Sequence, residues 1–272
     1  MKKLEKLLQE LPEEQLQAAV DYVTTPKPHK RPVKHHWGKR HVRIGLCGDS
    51  HIGSLYANYD VLNDLFKRFK AEGVQAVYHT GDITEGYNRR KGHSLECELH
   101  GSDAQVEGVV ERFPNIGVPI YFIAGDHDMW HYENAGTEIG KQIEKERKDM
   151  HYLGPFNATI EIAPKCRLML VHPAKGTAYA ISYQIQKMIE AFSGGEKPEI
   201  LAVGHYHKIE FLNYRNVLAF QTGTTEDQTP WMRRMNLSAH LGGWVLDIWL
   251  KPNGYPDKVE MKLFPYDSGG KL

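Results

Sequence analysis

Two carboxylates close around a histidine in the stretch IAGDHDMW (residues 123–130), directly after the strand-like run Ile120, Tyr121, Phe122 and Ile123. Asp126, His127 and Asp128 thus stand at the mouth of a strand, where polar groups are costly unless they bind something. The same arrangement recurs along the chain. "LCGDSHIG" supplies Asp49 and His51, "HTGDITEG" supplies Asp82 and Glu85, "LVHP" supplies His172, and "VGHYH" supplies His205 and His207. Gly48, Gly81, Gly125 and Gly204 precede these groups and permit sharp turns and close backbone approach. A lone Asp-x-His or Gly-Asp reads as a capped turn. Five strand ends repeating one chemistry point instead to a shared site.

Three carboxylates and three or four imidazoles exceed the four ligands of one structural zinc, which also favours sulfur. Two divalent ions sharing a carboxylate match the count better, and such a pair activates a water and clamps an in-line phosphoryl displacement. Nitrogen and oxygen donors without thiolate suit Mn, Fe, Zn, Ni or Co more than Ca or Mg.

Elements able to gather these groups are legible in the periodicity. Short apolar runs alternate with amphipathic stretches: strands over Val42–Cys47, Ala76–His79 and Pro119–Ala124, helices over Tyr59–Ala71, Ala104–Phe113 and Glu138–Arg147. That order implies a mostly parallel sheet flanked by helices, whose strand C-termini line one crevice. Further on, strands are expected at Thr159–Ile162, Leu168–Val171, Ile200–Val203, Ile209–Leu212, Val217–Gln221, Gly243–Leu250 and Val259–Phe264, with one helix over Tyr179–Phe192. Leu4 to Val23 carries helical spacing, so residues 1–41 read as a helical extension and linker ahead of a catalytic domain at 42–272. Seven cations between Lys27 and Arg43 meet no acidic residue in that run, a composition that attracts phosphate backbones or forms an exposed tether.

The 272 residues are 41% hydrophobic and 25% charged, with 34 cations balancing 34 anions, so no whole-chain field argues for a polyanionic partner. Cys47, Cys97 and Cys166 are odd in number and widely spaced, which suggests reduced thiols. No apolar run approaches a membrane span, and the acidic, amphipathic start is unlike a secretory signal. These features together imply a cytoplasmic chain.

Asp49-Ser50-His51, Gly81-Asp82, Gly125-Asp126-His127-Asp128, the lone His172 and Gly204-His205-Tyr206-His207 together resemble the calcineurin-like metallophosphoesterases, over roughly residues 42 to 250. The resemblance implies a four-layer αββα sandwich and phosphoester hydrolysis by a hydroxide bridging two metals. It assigns Asp49, His51, Asp82 and His207 to one ion, and Asp82, Asp126, His172 and His205 to the other. His127 would be the acid serving the leaving oxygen, with Glu85 orienting it; Asp128 is either a supporting group or a helix cap. Beyond the motifs, the likeness leans toward phage and prokaryotic phosphoesterases of the DNA-repair-exonuclease type, which makes phosphodiesters in nucleic acid or nucleotides the expected substrates and a monoester the alternative.

Two departures matter. Where the family carries an amide, this chain has Asp126, so its ligands total −3 against +4 for two divalent ions, and a bridging hydroxide brings the centre near neutrality. Metal should be held well but polarise water less, and a weakened or purely binding protein becomes an alternative to a competent enzyme. The second departure is Ile83-Thr84-Glu85-Gly86, which has no arginine where the family's protein phosphatases place one. Arg89 and Arg90 are candidate phosphate contacts. Trp231 and Arg233, in the stretch Thr222–Gly242 that also holds Arg234 and His240, are candidate substrate contacts of the aromatic-plus-arginine kind.

Overall fold

The computed structural model describes residues 32–88, 91–174 and 176–267, together with Pro12 and Gln15. The expected N-terminal helices, Arg89 and Arg90 lie outside these residues.

Two six-stranded sheets form the body. In the first, β2 (His41–Cys47), β3 (Ala76–His79), β4 (Ile120–Ala124) and β5 (Met150–Pro155) run parallel, and β11 (Leu241–Leu250) with β12 (Pro256–Tyr266) adds an antiparallel pair in the order β12-β11-β2-β3-β4-β5. The second holds β1 (Val33–Lys34), β6 (Asn157–Ala163), β7 (Cys166–Val171), β8 (Ile200–Val203), β10 (Val217–Thr222) and β9 (Ile209–Tyr214) in that order. Here β7, β8 and β10 are parallel, β6 is antiparallel to β7 but parallel to β1, and β9 is antiparallel to β10.

Alternation along the strands explains the layers. Val42, Ile44, Leu46 and Tyr78 face inward and meet Ile160, Leu168, Leu170, Ala202 and Phe220 of the opposing sheet. Val77, Ile120 and Phe122 point outward beneath Leu62, Leu65 and Phe66 of α1 (Tyr59–Glu72), Val106 and Val109 of α2 (Ser102–Arg112) and Ile143 of α4 (Ile139–Glu146). On the far side, Ile185 and Ile189 of α5 (Tyr183–Ala191) cover Leu201, Val203, Val217 and Ala219. The result is helix, sheet, sheet, helix, as the resemblance implied.

Some elements differ from the sequence reading. Helix α3 (Asp126–Ala135) begins immediately after β4; its sequence DHDMWHYENA is too polar to show an apolar stripe. Strand β5 was equally masked, since MHYLGP mixes polar and apolar residues without a period. The expected helix over Tyr179–Phe192 starts only at Tyr183, and the stretch after β10 contains a short helix, α6 (Pro230–Arg234), with Thr229 capping Met232 N–H. The basic run is not without counter-charge: Arg43 Nε lies 2.6 Å from Asp247 Oδ1. That partner sits on β11, paired beside β2 but 204 positions away in sequence.

Candidate metal centre

All seven ligand candidates emerge from strand ends where the two sheets meet. Asp49 and His51 follow β2, Asp82 follows β3, Asp126 follows β4, His172 follows β7, and His205 and His207 follow β8. Five of them, Asp49, His51, Asp82, His205 and His207, hold positive φ between 46° and 73°. For a residue with a Cβ this costs on the order of 1 kcal/mol or more each, and it persists only where the surroundings dictate it. Those surroundings are visible: Asp49 N–H donates to Gly81 O at 2.9 Å, Ser50 N–H to Asp82 O at 2.8 Å, and the Thr224 hydroxyl to Asp49 O at 2.7 Å. Gly81 (φ 99°) makes the turn into Asp82, and a Cβ on Gly125 would stand 2.3 Å from Asp82 Oδ1. Only glycine lets these loops close on one another.

The donor atoms converge in two groups with Asp82 between them. His51 Nε2 lies 3.1 Å from His207 Nε2, and His207 Nε2 lies 3.5 Å from Asp49 Oδ1. In the other group His172 Nε2 is 3.1 Å from Asp82 Oδ2, and His205 Nδ1 is 3.5 Å from Asp126 Oδ2. Asp82 Oδ2 is also 3.9 Å from His51 Nε2.

Whether these residues suit a cation follows from where their lone pairs point. His172 Nδ1 sits 2.9 Å from the Thr80 carbonyl, which can only accept, so Nδ1 carries the hydrogen and Nε2 of the neutral ring presents a lone pair. That lone pair faces a carboxylate oxygen. Both His172 Nε2 and Asp49 Oδ2 are buried without any hydrogen-bond partner. Two acceptors face each other stably only with a cation or proton between them, and the donor set is one that holds divalent metal. His51 repeats the arrangement, its Nδ1 bonded at 2.8 Å to Glu85 Oε2 so that Nε2 turns to the cluster.

With protons as the only cations, the cluster is strongly perturbed. Burial opposes charge on His172, but Asp82, Asp49 and Asp126 hold its pKa up at about 10. Burial lifts Asp49 to about 7 and Asp126 to about 6. Asp82 resists burial through His172, His127 and His51, which keep it well below the usual carboxylate range. His205, desolvated and beside His172, falls to about 4. A site that must borrow protons to balance its charges is one where metal binding would release them.

Around the donors, Glu85 Oε1 contacts His93 Nε2 at 2.9 Å and its Oε2 lies 3.5 Å from His127 Nδ1. His127 Nδ1 donates to the Glu85 carbonyl at 2.8 Å, which leaves Nε2 as the nitrogen available to a ligand. The ring packs on Trp130 with centroids 3.9 Å apart. Asp128 does not line the cavity. Its carboxylate accepts from Gly125 N–H (3.0 Å), Ile83 N–H (3.1 Å), Thr84 N–H (2.8 Å) and the Thr84 hydroxyl (2.7 Å), so it ties the Asp82 loop to the start of α3 instead of facing the chemistry.

A cavity of about 320 Å³ opens over the centre, lined among others by His127, Trp130, Tyr206, Glu226 and Trp231. Arg233 is not among its lining residues; its Nε points to Gln228 Oε1 at 3.4 Å on the outer side of α6. Glu226 escaped the sequence reading. It is buried, accepts from the Ser54 hydroxyl at 2.6 Å and brings Oε2 to 3.8 Å from His51 Nε2. The signal was present, because TGTTED follows β10 with a glycine ahead of a carboxylate, as at the ends of β2, β3 and β4. His93 had no such signal; only the fold brings it to Glu85.

Residues 42–236 match the model of the calcineurin-like phosphoesterase superfamily domain. Over 203 residues the chain is 24% identical to the manganese-dependent ADP-ribose/CDP-alcohol diphosphatase of Danio rerio, a match covering 66% of this chain and 56% of that protein. The chain therefore spans little more than half the length of that relative. Similar solved structures include an archaeal phosphodiesterase, with TM-score 0.46, 12% identity, and 83% of this chain and 100% of that one covered. Another is vacuolar protein sorting 29 of Cryptosporidium parvum, with TM-score 0.42, 15% identity, and 84% and 99% covered.

Proposed function

The chain belongs to the calcineurin-like phosphoesterase superfamily, and on that footing we propose that it hydrolyses phosphodiesters, in nucleic acid or nucleotides, at a pair of divalent metal ions. The observation that carries this reading is Asp82, whose carboxylate stands between two sets of nitrogen donors. Asp49, His51, Asp82 and His207 would hold one ion; Asp82, Asp126, His172 and His205 would hold the other. When bound, the ions would supply Lewis-acid charge and a water acidic enough to attack near neutral pH. Manganese is the preferred metal, supported by the hard carboxylates of the set and by the name of the zebrafish relative, while Fe, Zn, Ni and Co suit the same donors.

The chain's own groups do the rest. His127, with Nδ1 fixed by the Glu85 carbonyl, keeps Nε2 for protonating the leaving alcohol. Its proton is well held: burial opposes the charge, but Asp82 and Glu85 raise its pKa. Trp130 and Trp231 give the cavity flat apolar walls suited to a base or aryl group. Among the described residues lining the cavity there is no lysine or arginine, whereas Asp82, Glu85, Glu96, Asp126 and Glu226 all line it. A singly charged diester suits that field better than a doubly charged monoester. Buried thiols at Cys47, Cys97 and Cys166 support a reducing compartment, hence the cytoplasm. Among the described residues no helix is long and apolar enough to cross a membrane.

The test combines metal analysis of the purified chain with turnover of bis-p-nitrophenyl phosphate, p-nitrophenyl phosphate, and single- and double-stranded DNA. The reading expects two metal equivalents, diester turnover above monoester turnover, and loss of both in Asp82→Ala. No turnover on any substrate with added Mn or Ni overturns it.

A further inference from the structure

A second cavity, of about 230 Å³, adjoins the metal-lined one and shares Thr177 and Tyr206 with it. Its chemistry is opposite in kind. Lys208, Ser238, His240 and Gln221 line it, and no carboxylate does among the described residues. The Lys208 ammonium donates to the Ser238 hydroxyl at 2.5 Å. His240 Nδ1 accepts from Ile209 N–H at 3.3 Å, so its hydrogen is on Nε2, 3.4 Å from the same hydroxyl. Three donors therefore gather around Ser238, whose backbone carbonyl also accepts from the Lys208 ammonium.

Gln221 lines the same cavity. It is only 2% exposed, and its Nε2 donates to Ile181 O at 3.1 Å and to Glu210 Oε2 at 2.6 Å. Those two acceptors fix the amide orientation, and Oε1 is left buried with no partner. A buried carbonyl oxygen without a donor is expensive, and a ligand hydroxyl would satisfy it. The two cavities are joined through the backbone as well: Lys208 follows His207 in the chain, and His240 N–H donates to His207 O at 2.9 Å.

We infer that this second cavity is the subsite for a sugar-phosphate leaving group, whose anionic oxygens meet Lys208 and His240 and whose hydroxyl donates to Gln221 Oε1. The inference rests on the phosphodiesterase reading and sharpens it: the scissile phosphoryl group sits at the metals, and the departing half extends past Tyr206. It discriminates among esters by what lies beyond the bond that breaks. An aryl diester would use the metal cavity alone, while a nucleotide strand or a nucleoside diphosphate sugar would engage both.

The experiment compares kcat/KM of the wild-type chain and Lys208→Met on bis-p-nitrophenyl phosphate, on a thymidine dinucleotide bearing a 3′-phosphate, and on ADP-ribose. Gln221→Leu serves as a second variant. The expected result is that Lys208→Met loses about tenfold more on at least one sugar-phosphate substrate than on the aryl diester, mostly in KM, as loss of a charge-assisted contact requires. A selective loss on the dinucleotide identifies a nucleic-acid strand as the source of the group, and one on ADP-ribose identifies a diphosphate. Equal losses on all substrates, or none in either variant, overturn the subsite. Turnover of the aryl diester with neither sugar-phosphate cleaved by the wild type overturns the subsite and leaves the phosphodiesterase reading standing; inactivity on all three removes both.

Discussion

Asp126 stands where the family carries an amide, and replacing it with that amide tests the electrostatics of the whole centre. Its half-buried carboxylate lies 3.5 Å from His205 Nδ1, and desolvation, together with Asp82 and against His172, raises its pKa to about 6. Asp126→Asn removes one negative charge next to the position of an ion while keeping an oxygen donor. At about 4 Å, a unit charge is worth roughly 1 kcal/mol at the dielectric of water and 4 kcal/mol at an effective value near 20. One pKa unit corresponds to about 1.4 kcal/mol, so any group that must lose a proton for reaction should do so about 1 to 3 pH units lower in the variant. The sign follows directly: a nearby negative charge disfavours deprotonation, and its removal favours it. Turnover of bis-p-nitrophenyl phosphate with manganese, followed from pH 5 to 10, should therefore show the acid limb moving down in Asp126→Asn and a faster rate at neutral pH. Calorimetric titration of manganese should show weaker binding at the same time, because the retained oxygen donor is neutral. Superimposed pH profiles, or an Asn form no faster at any pH, would refute the charge argument.

Three further outcomes follow from individual contacts. Asp128→Ala strands four donors in the Asp82 and Gly125 loops, and should lower unfolding free energy by about 3–5 kcal/mol in a denaturant titration. Glu226→Gln removes the carboxylate 3.8 Å from His51 Nε2, and manganese affinity measured by calorimetry should fall by about tenfold while the Ser54 contact preserves the fold. His131 is buried against Gln105, and burial lowers its pKa from 6.5 to about 4. The unfolded chain therefore takes up this proton first, so stability present above pH 6.5 is lost as pH falls toward 4. The wild type should lose up to about 3 kcal/mol more than His131→Gln across that window by urea denaturation at each pH.

Local pattern already determined much of this protein. Strand runs such as Ala76–His79 and Ile200–Val203 coincide with the observed elements, because four apolar or aromatic residues bounded by turn signals have few other uses. The ligand candidates were legible for a related reason: a carboxylate or imidazole placed just after a strand and a glycine breaks the expected chemistry of a loop. Helix α3 and β5 were not legible, since their side chains are chosen for the site and for neighbours more than for an apolar period.

Tertiary structure alone decided the rest. The lone pair of His172 opposing Asp82, with the two residues 90 positions apart in the chain, exists only once β3 and β7 come together across the sandwich. The partner of Arg43 on β11, the approach of Glu226 to His51, and the outward turn of Arg233 likewise depend on which strands become neighbours. Sequence specifies which groups leave each strand, because side-chain alternation and turn chemistry are local; which atoms then face one another is set by sheet order and packing, which are not.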